Sequence, residues 1–182
     1  MEAQVKIEDE FVGGSADRML EWCRSAEARQ GWPGAGDVIS REDHLFFGLS
    51  LRSPGAPHAE VRAEEQLGEV QTDAQGWRFT STQRWLWPSG EVASAWVQYE
   101  LSTKAEGVKE QLAAESSALK APEAKMYRLQ VTLRYQLPGG SFAKSINQMR
   151  FSRAVEEAMR RYVSSLILAS GSETAQRLGQ QR

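Results

Sequence analysis

The sequence predicts an α+β protein in which consecutive strands form one antiparallel sheet and a long C-terminal helix covers it. Several segments alternate apolar and polar residues with period two, the pattern of strands with one buried face. Short pieces rich in Pro and Gly separate them, as expected for antiparallel neighbours. At Pro138-Gly139-Gly140 the segment YRLQVTLRYQLPGGSFAKSINQMRFSRAVEEAMRRYVSSLI then passes from strict alternation to helical spacing.

The first strand spans Ala3 to Val12, where Val5, Ile7 and Phe11 alternate with Lys6, Glu8 and Glu10. Gly13-Gly14 breaks it. Ser15 is placed to cap a helix with Asp17 in its first turn, and Met19, Leu20, Cys23 and Ala26 recur at helical spacing. That helix ends before Gly31-Trp32-Pro33-Gly34. Cys23 lies on the apolar stripe and reads as a small buried hydrophobe rather than a nucleophile. Further strands follow at Asp37–Glu42, His44–Arg52, Ala59–Leu67, Gly76–Trp87, Glu91–Thr103 and Met126–Leu137. In the last, Tyr127, Leu129, Val131, Leu133, Tyr135 and Leu137 form an apolar row opposite a wet one.

Trp87-Pro88-Ser89-Gly90-Glu91 sets a register. Pro suits the first central position of a turn and Gly the left-handed position, so PSG fits a three-residue hairpin loop. Trp85 then faces Ala93, Gln83 faces Ala95, Ser81 faces Val97, Phe79 faces Tyr99 and Trp77 faces Leu101. Arg78 meets Glu100 on the other face, a complementary pair. A two-residue loop would scramble both faces.

Residues 104–125, rich in Ala, Glu, Lys and Leu, are too long for a plain hairpin loop and read as an insertion, either a short helix or a surface excursion. The final helix is expected from Ser141 to Ala169. Phe142, Ile146 and Met149 lie on one stripe; Phe151, Val155, Met159, Tyr162, Val163 and Leu166 cover a broader arc. Gly171 is the expected terminator. The expected organisation is one domain over residues 1–170 with a flexible tail at 171–182.

With 182 residues, 41% of them hydrophobic, and six Trp, the chain has the composition of a globular domain. A net charge of −2 gives no reason to expect nucleic acid. No apolar run approaches the ~20 residues of a membrane span. The start MEAQVKIEDE lacks the features of a signal peptide, so the expectation is a cytoplasmic protein. One Cys and two separated His, His44 and His58, offer no zinc-ligand spacing, and no glycine-rich phosphate motif is present, so no metal and no cofactor is expected.

The order of strand, helix, GWPG break, antiparallel meander and long helix resembles the START-related helix-grip (SRPBCC) superfamily, which includes polyketide cyclase/dehydrase-like and coenzyme Q-binding proteins. The likeness spans nearly the whole chain. It is most specific at LRYQLPGGS, Leu133 to Ser141, where such proteins pass from a final strand into the long helix. The insertion after Thr103 departs from the pattern. The resemblance implies a curved sheet wrapped around the C-terminal helix, with a hydrophobic cavity between them whose mouth lies near Ser53–His58, Pro88–Gly90 and Pro138–Gly140.

The inward positions expected to meet a ligand are Asp9, Ser81, Gln83, Trp85, Ala93, Ala95, Tyr99 and Tyr135 on the sheet, with Phe142, Ile146 and Met149 on the helix. Tyr127 also points inward. Glu65 interrupts the apolar row of Val61, Ala63 and Leu67. Burial equips such a carboxyl for acid/base catalysis; the other reading pairs it with an arginine or leaves it at the sheet edge. Ser81 and Gln83 read as orienting hydrogen-bonding groups, since no Ser-His-acid arrangement is present. The leading expectation is a noncatalytic carrier or sensor of a small apolar, lipidic or aromatic molecule. The alternatives are a cyclase or dehydratase acting in the same space through Glu65 or a tyrosine, and a regulator of a partner protein with outward Trp96 as a contact.

Overall fold

The computed structural model describes residues 2–13, 15–51, 59–88, 90–103, 125–136 and 145–179. Seven strands are present: β1 (Glu2–Gly13), β2 (Ile39–Arg41), β3 (His44–Leu51), β4 (Ala59–Thr72), β5 (Gly76–Leu86), β6 (Val92–Thr103) and β7 (Lys125–Gln136). They form one antiparallel sheet in the order β1-β7-β6-β5-β4-β3-β2. Two short helices, α1 (Ala16–Arg24) and α2 (Ala26–Arg29), link the strands at its opposite edges, and α3 (Ser145–Gly179) packs on its apolar face. This is the helix-grip architecture. The insertion at 104–125 falls outside the described residues except for Lys125, the first residue of β7.

The β5–β6 register is the one the PSG loop demands. Trp85 pairs with Ala93, Gln83 with Ala95, Ser81 with Val97 and Arg78 with Glu100. The amide of Gly90, with φ of 84°, donates to the Trp87 carbonyl at 2.9 Å, and the Trp87 amide donates to the Glu91 carbonyl at 3.0 Å. Left-handed backbone at that position is what glycine permits.

Two elements run further than their sequence pattern suggests. β4 continues past Leu67 to Thr72 because a bulge resets its alternation, with Leu67 opposite Ser81 but Val70 opposite Phe79. Helix α3 continues through Gly171, its expected end, to Gly179. Glycine weakens a helix but does not stop one unless the chain turns left-handed there.

The first helical segment is broken rather than continuous. Ser15 caps α1 through its side chain, as expected, and Ser25 then leaves helical backbone (φ −76°, ψ 158°) to cap α2. The GWPG break that follows lies against β3, with the Ser50 amide donating to the Pro33 carbonyl at 2.6 Å and the Gly48 amide to the Ala35 carbonyl at 3.1 Å. A Cβ on Gly48 would sit 2.6 Å from the Gly34 carbonyl oxygen, so glycine permits this approach. No helix among the described residues is long and apolar enough to cross a membrane.

Candidate functional site

Strand β5 sends Trp77, Phe79, Ser81, Gln83 and Trp85 to the covered face, and together they map the interior from one end of the sheet to the other. At the first end α1 closes the fold. The Trp77 indole donates to the Ala16 carbonyl at 2.8 Å, and the Arg24 guanidinium lies over the Phe79 ring and donates to the Gly68 carbonyl at 2.8 Å. Phe79 stacks on Tyr99 with centroids 4.6 Å apart.

One step inward lies a charged cluster with no exposure. Arg29 of α2 donates through Nε to Glu65 Oε2 at 2.6 Å and through Nη2 to Oε1 at 3.0 Å. Its Nη1 donates to the Cys23 carbonyl. Ser81 Oγ donates to Glu65 Oε1 at 2.5 Å, so both carboxylate oxygens are engaged. Arg29 also faces the Tyr99 ring, whose hydroxyl lies 3.1 Å from that of Tyr162 on α3. Trp32 of the GWPG break stacks on Tyr162 at 4.4 Å.

Burial opposes the charge on Arg29, but the attraction of Glu65, aided by Tyr162 and Tyr99, outweighs it and raises the guanidinium pKa well above its ordinary value. Burial pushes the Cys23 thiol up to about 12, against the pull of Arg29. Burial likewise raises Tyr99 and Tyr162, again against Arg29. At neutral pH the thiol and both phenols keep their protons.

Beyond the cluster the interior becomes aromatic and small. Gln83 is buried between Glu65 on β4 and Ala95 on β6. Its Oε1 accepts from the Trp85 indole at 2.8 Å, while its Nε2 is buried and has no hydrogen-bond partner among the described residues. Trp85, between Ala63 and Ala93, stacks with Tyr135 at 5.6 Å. The Tyr135 hydroxyl donates to Ser152 Oγ on α3 at 3.1 Å, and burial raises its pKa. Phe151 sits 6.1 Å from Trp87 and 5.9 Å from Tyr135.

The structure therefore brings Ser81, Gln83, Trp85, Ala93, Ala95, Tyr99 and Tyr135 together on the covered face, but it divides them between two environments. Ser81 and Tyr99 belong to the charged cluster. Gln83, Trp85, Ala93, Ala95 and Tyr135 belong to the aromatic end. Asp9 shares a strand face with Val5 and Ile7 yet is exposed, its Oδ1 accepting from the Glu10 amide at 2.9 Å, which corrects its inward placement. Met149 is 61% exposed on α3 and is likewise not an interior residue. Phe142 lies outside the described residues; for Ile146 only the helical backbone is described.

Arg29 was not legible as a site residue. The one available signal is that it follows Ala26 by three residues and so extends the apolar stripe of the first helix. On the other face of the sheet, Trp96 is half-buried opposite Thr82 and Arg134. A second feature is an open hollow of about 450 Å³ at the β4 bulge, bordered by Gly68, Arg78, Thr80 and Gln98. It lies away from the aromatic end, and the exposed Arg78 and Thr80 belong to the outer face.

No family model and no curated protein matches the chain. Among solved structures, a conserved protein from Geobacillus kaustophilus is similar over 94% of this chain and 96% of its own, at 10% identity and a TM-score of 0.64. That likeness is one of fold. The Zhui aromatase/cyclase from a Streptomyces species aligns over 97% of this chain and 96% of its own, at 10% identity and a TM-score of 0.48. A hypothetical protein from Helicobacter pylori aligns over 92% and 88%, at 12% identity and a TM-score of 0.47.

Proposed function

We propose that this chain is a START-related helix-grip protein that binds a small, largely apolar molecule on the covered face of its sheet. The ligand lies between the Gln83–Trp85 end of β5 and the start of α3. The observation that carries this reading is Gln83 Nε2, a buried donor without a partner among the described residues. Such a group costs about 1–3 kcal/mol if nothing ever meets it. Small residues accompany this reading, since Ala63, Ala93 and Ala95 are the strand neighbours of Trp85 and Gln83 on the covered face.

Glu65 enters as the anchor of Arg29 rather than as an acid or base. Both of its oxygens hold donors, which leaves no lone carboxylate facing the aromatic end. This favours a carrier or sensor over a cyclase-type enzyme.

Native mass spectrometry of the purified protein, followed by organic extraction, tests the reading together with titration by an apolar fluorescent probe. A retained small molecule, or saturable probe binding with one site per chain, is the expected result. A protein that retains nothing and gives only unsaturable probe fluorescence would overturn it.

A further inference from the structure

The geometry points to Gln83 as a specificity-determining residue, which selects an apolar ligand that carries a hydrogen-bond acceptor such as a carbonyl oxygen. This rests on the binding reading above. An indole N–H only donates, so the 2.8 Å contact from Trp85 Nε1 fixes which end of the Gln83 amide faces Trp85: it must be the oxygen. The amide cannot flip without setting two donors against each other. What remains for a ligand is Nε2, which donates and never accepts. A hydroxyl used as a donor, an ammonium or a bare hydrocarbon leaves it unsatisfied, whereas a carbonyl oxygen satisfies it.

The neighbours remove the competing partners. Glu65, directly across from Gln83 on β4, accepts three hydrogen bonds from Arg29 and Ser81 and none from Nε2. On the other side stands Ala95, which offers no side-chain acceptor. Trp85 and Tyr135, stacked beside the amide, present ring surface suited to a flat apolar body. A site built to hydrogen-bond one ligand oxygen rejects the analogue lacking it far more strongly than a merely apolar site distinguishes size.

The test uses α-tetralone and tetralin, which differ by one carbonyl, titrated by calorimetry into the full chain and into Gln83→Met, with thermal unfolding of both proteins alongside. The full chain should bind the ketone about tenfold more tightly than the hydrocarbon, the effect of one buried hydrogen bond. Gln83→Met, similar in length and without the amide donor, should keep tetralin binding and lose the preference for the ketone; because it also strips the buried Trp85 indole of its acceptor, it should unfold at a lower temperature than the parent. Equal affinity of the full chain for both compounds, or a preference unchanged in Gln83→Met, would overturn the role of Gln83 while leaving the binding reading standing. Saturable binding of neither compound to the full chain would overturn both.

Discussion

Arg29→Met tests whether the buried cluster holds the fold together. Methionine keeps much of the arginine stem but removes the two donors that reach Glu65 at 2.6 and 3.0 Å. Glu65 then keeps only Ser81, at a position with no exposure. Stranding one member of a buried ion pair costs about 3–5 kcal/mol, a large part of the 5–15 kcal/mol typical of a whole domain. Arg29→Met/Glu65→Leu removes both charges and leaves only the Ser81 hydroxyl and the Cys23 carbonyl to be satisfied, each worth about 1–3 kcal/mol. The double variant should therefore be more stable than Arg29→Met alone, although it carries one more substitution. Urea unfolding followed by tryptophan fluorescence measures this, and unchanged slopes would allow the midpoints to be compared directly. An Arg29→Met loss below about 1 kcal/mol, or a double variant whose losses simply add, would refute the reasoning.

Because burial holds the Cys23 thiol at about 12 in the fold, against 9.0 for a free thiol, the unfolded chain gives up this proton first. The stability it contributes is complete below pH 9 and drains as pH rises toward 12, at up to about 1.4 kcal/mol per unit. Urea midpoints at pH 8 and 10 should fall in the parent and fall less in Cys23→Ala; identical slopes would exclude the thiol as a source. Gly48→Ala should cost about 1–3 kcal/mol, since the new Cβ would stand 2.6 Å from the Gly34 carbonyl oxygen. A thermal midpoint within 1 °C of the parent would contradict that packing. A chain ending at residue 140 loses Val155, Met159, Tyr162 and Leu166 from the core and should unfold without a cooperative transition. A sharp calorimetric peak near the parent temperature would mean that the sheet stands without α3.

The sheet was legible because its signals are local. Period two assigns a face within one strand, and the PSG loop fixes the partner strand without reference to anything else, so every β5–β6 pair followed from five residues. Coverage is different. Asp9 has the parity of Val5 and Ile7, but whether that face is closed over at Asp9 depends on what packs above it, and it remains in solvent. Met149 fails for the same reason on α3. Arg29 illustrates the converse: the chain leaves helical backbone at Ser25 and starts a second short helix, and no spacing rule shows that its last residue turns inward. A charged residue at a helix end ordinarily reads as solvated, and only the carboxylate of β4, 36 residues on, reverses that.

Ser81 and Gln83 sit two residues apart on β5, both point inward and both are buried, yet the fold treats them differently. Ser81 donates to Glu65 and completes a cluster in which each carboxylate oxygen has a donor, the condition under which a buried charge is tolerable. Gln83 has one satisfied end and one end without a partner among the described residues. Methionine or leucine there would avoid the orphan amide donor but would leave the buried Trp85 indole without its acceptor, so the oxygen of Gln83 serves the fold and its Nε2 does not. It is this second end, which folding leaves without a partner among the described residues, that the proposed ligand would use. At Ser81 the hydrogen bond closes within the chain, so its role is architectural; at Gln83 it remains open toward the aromatic end, where a ligand oxygen would complete it.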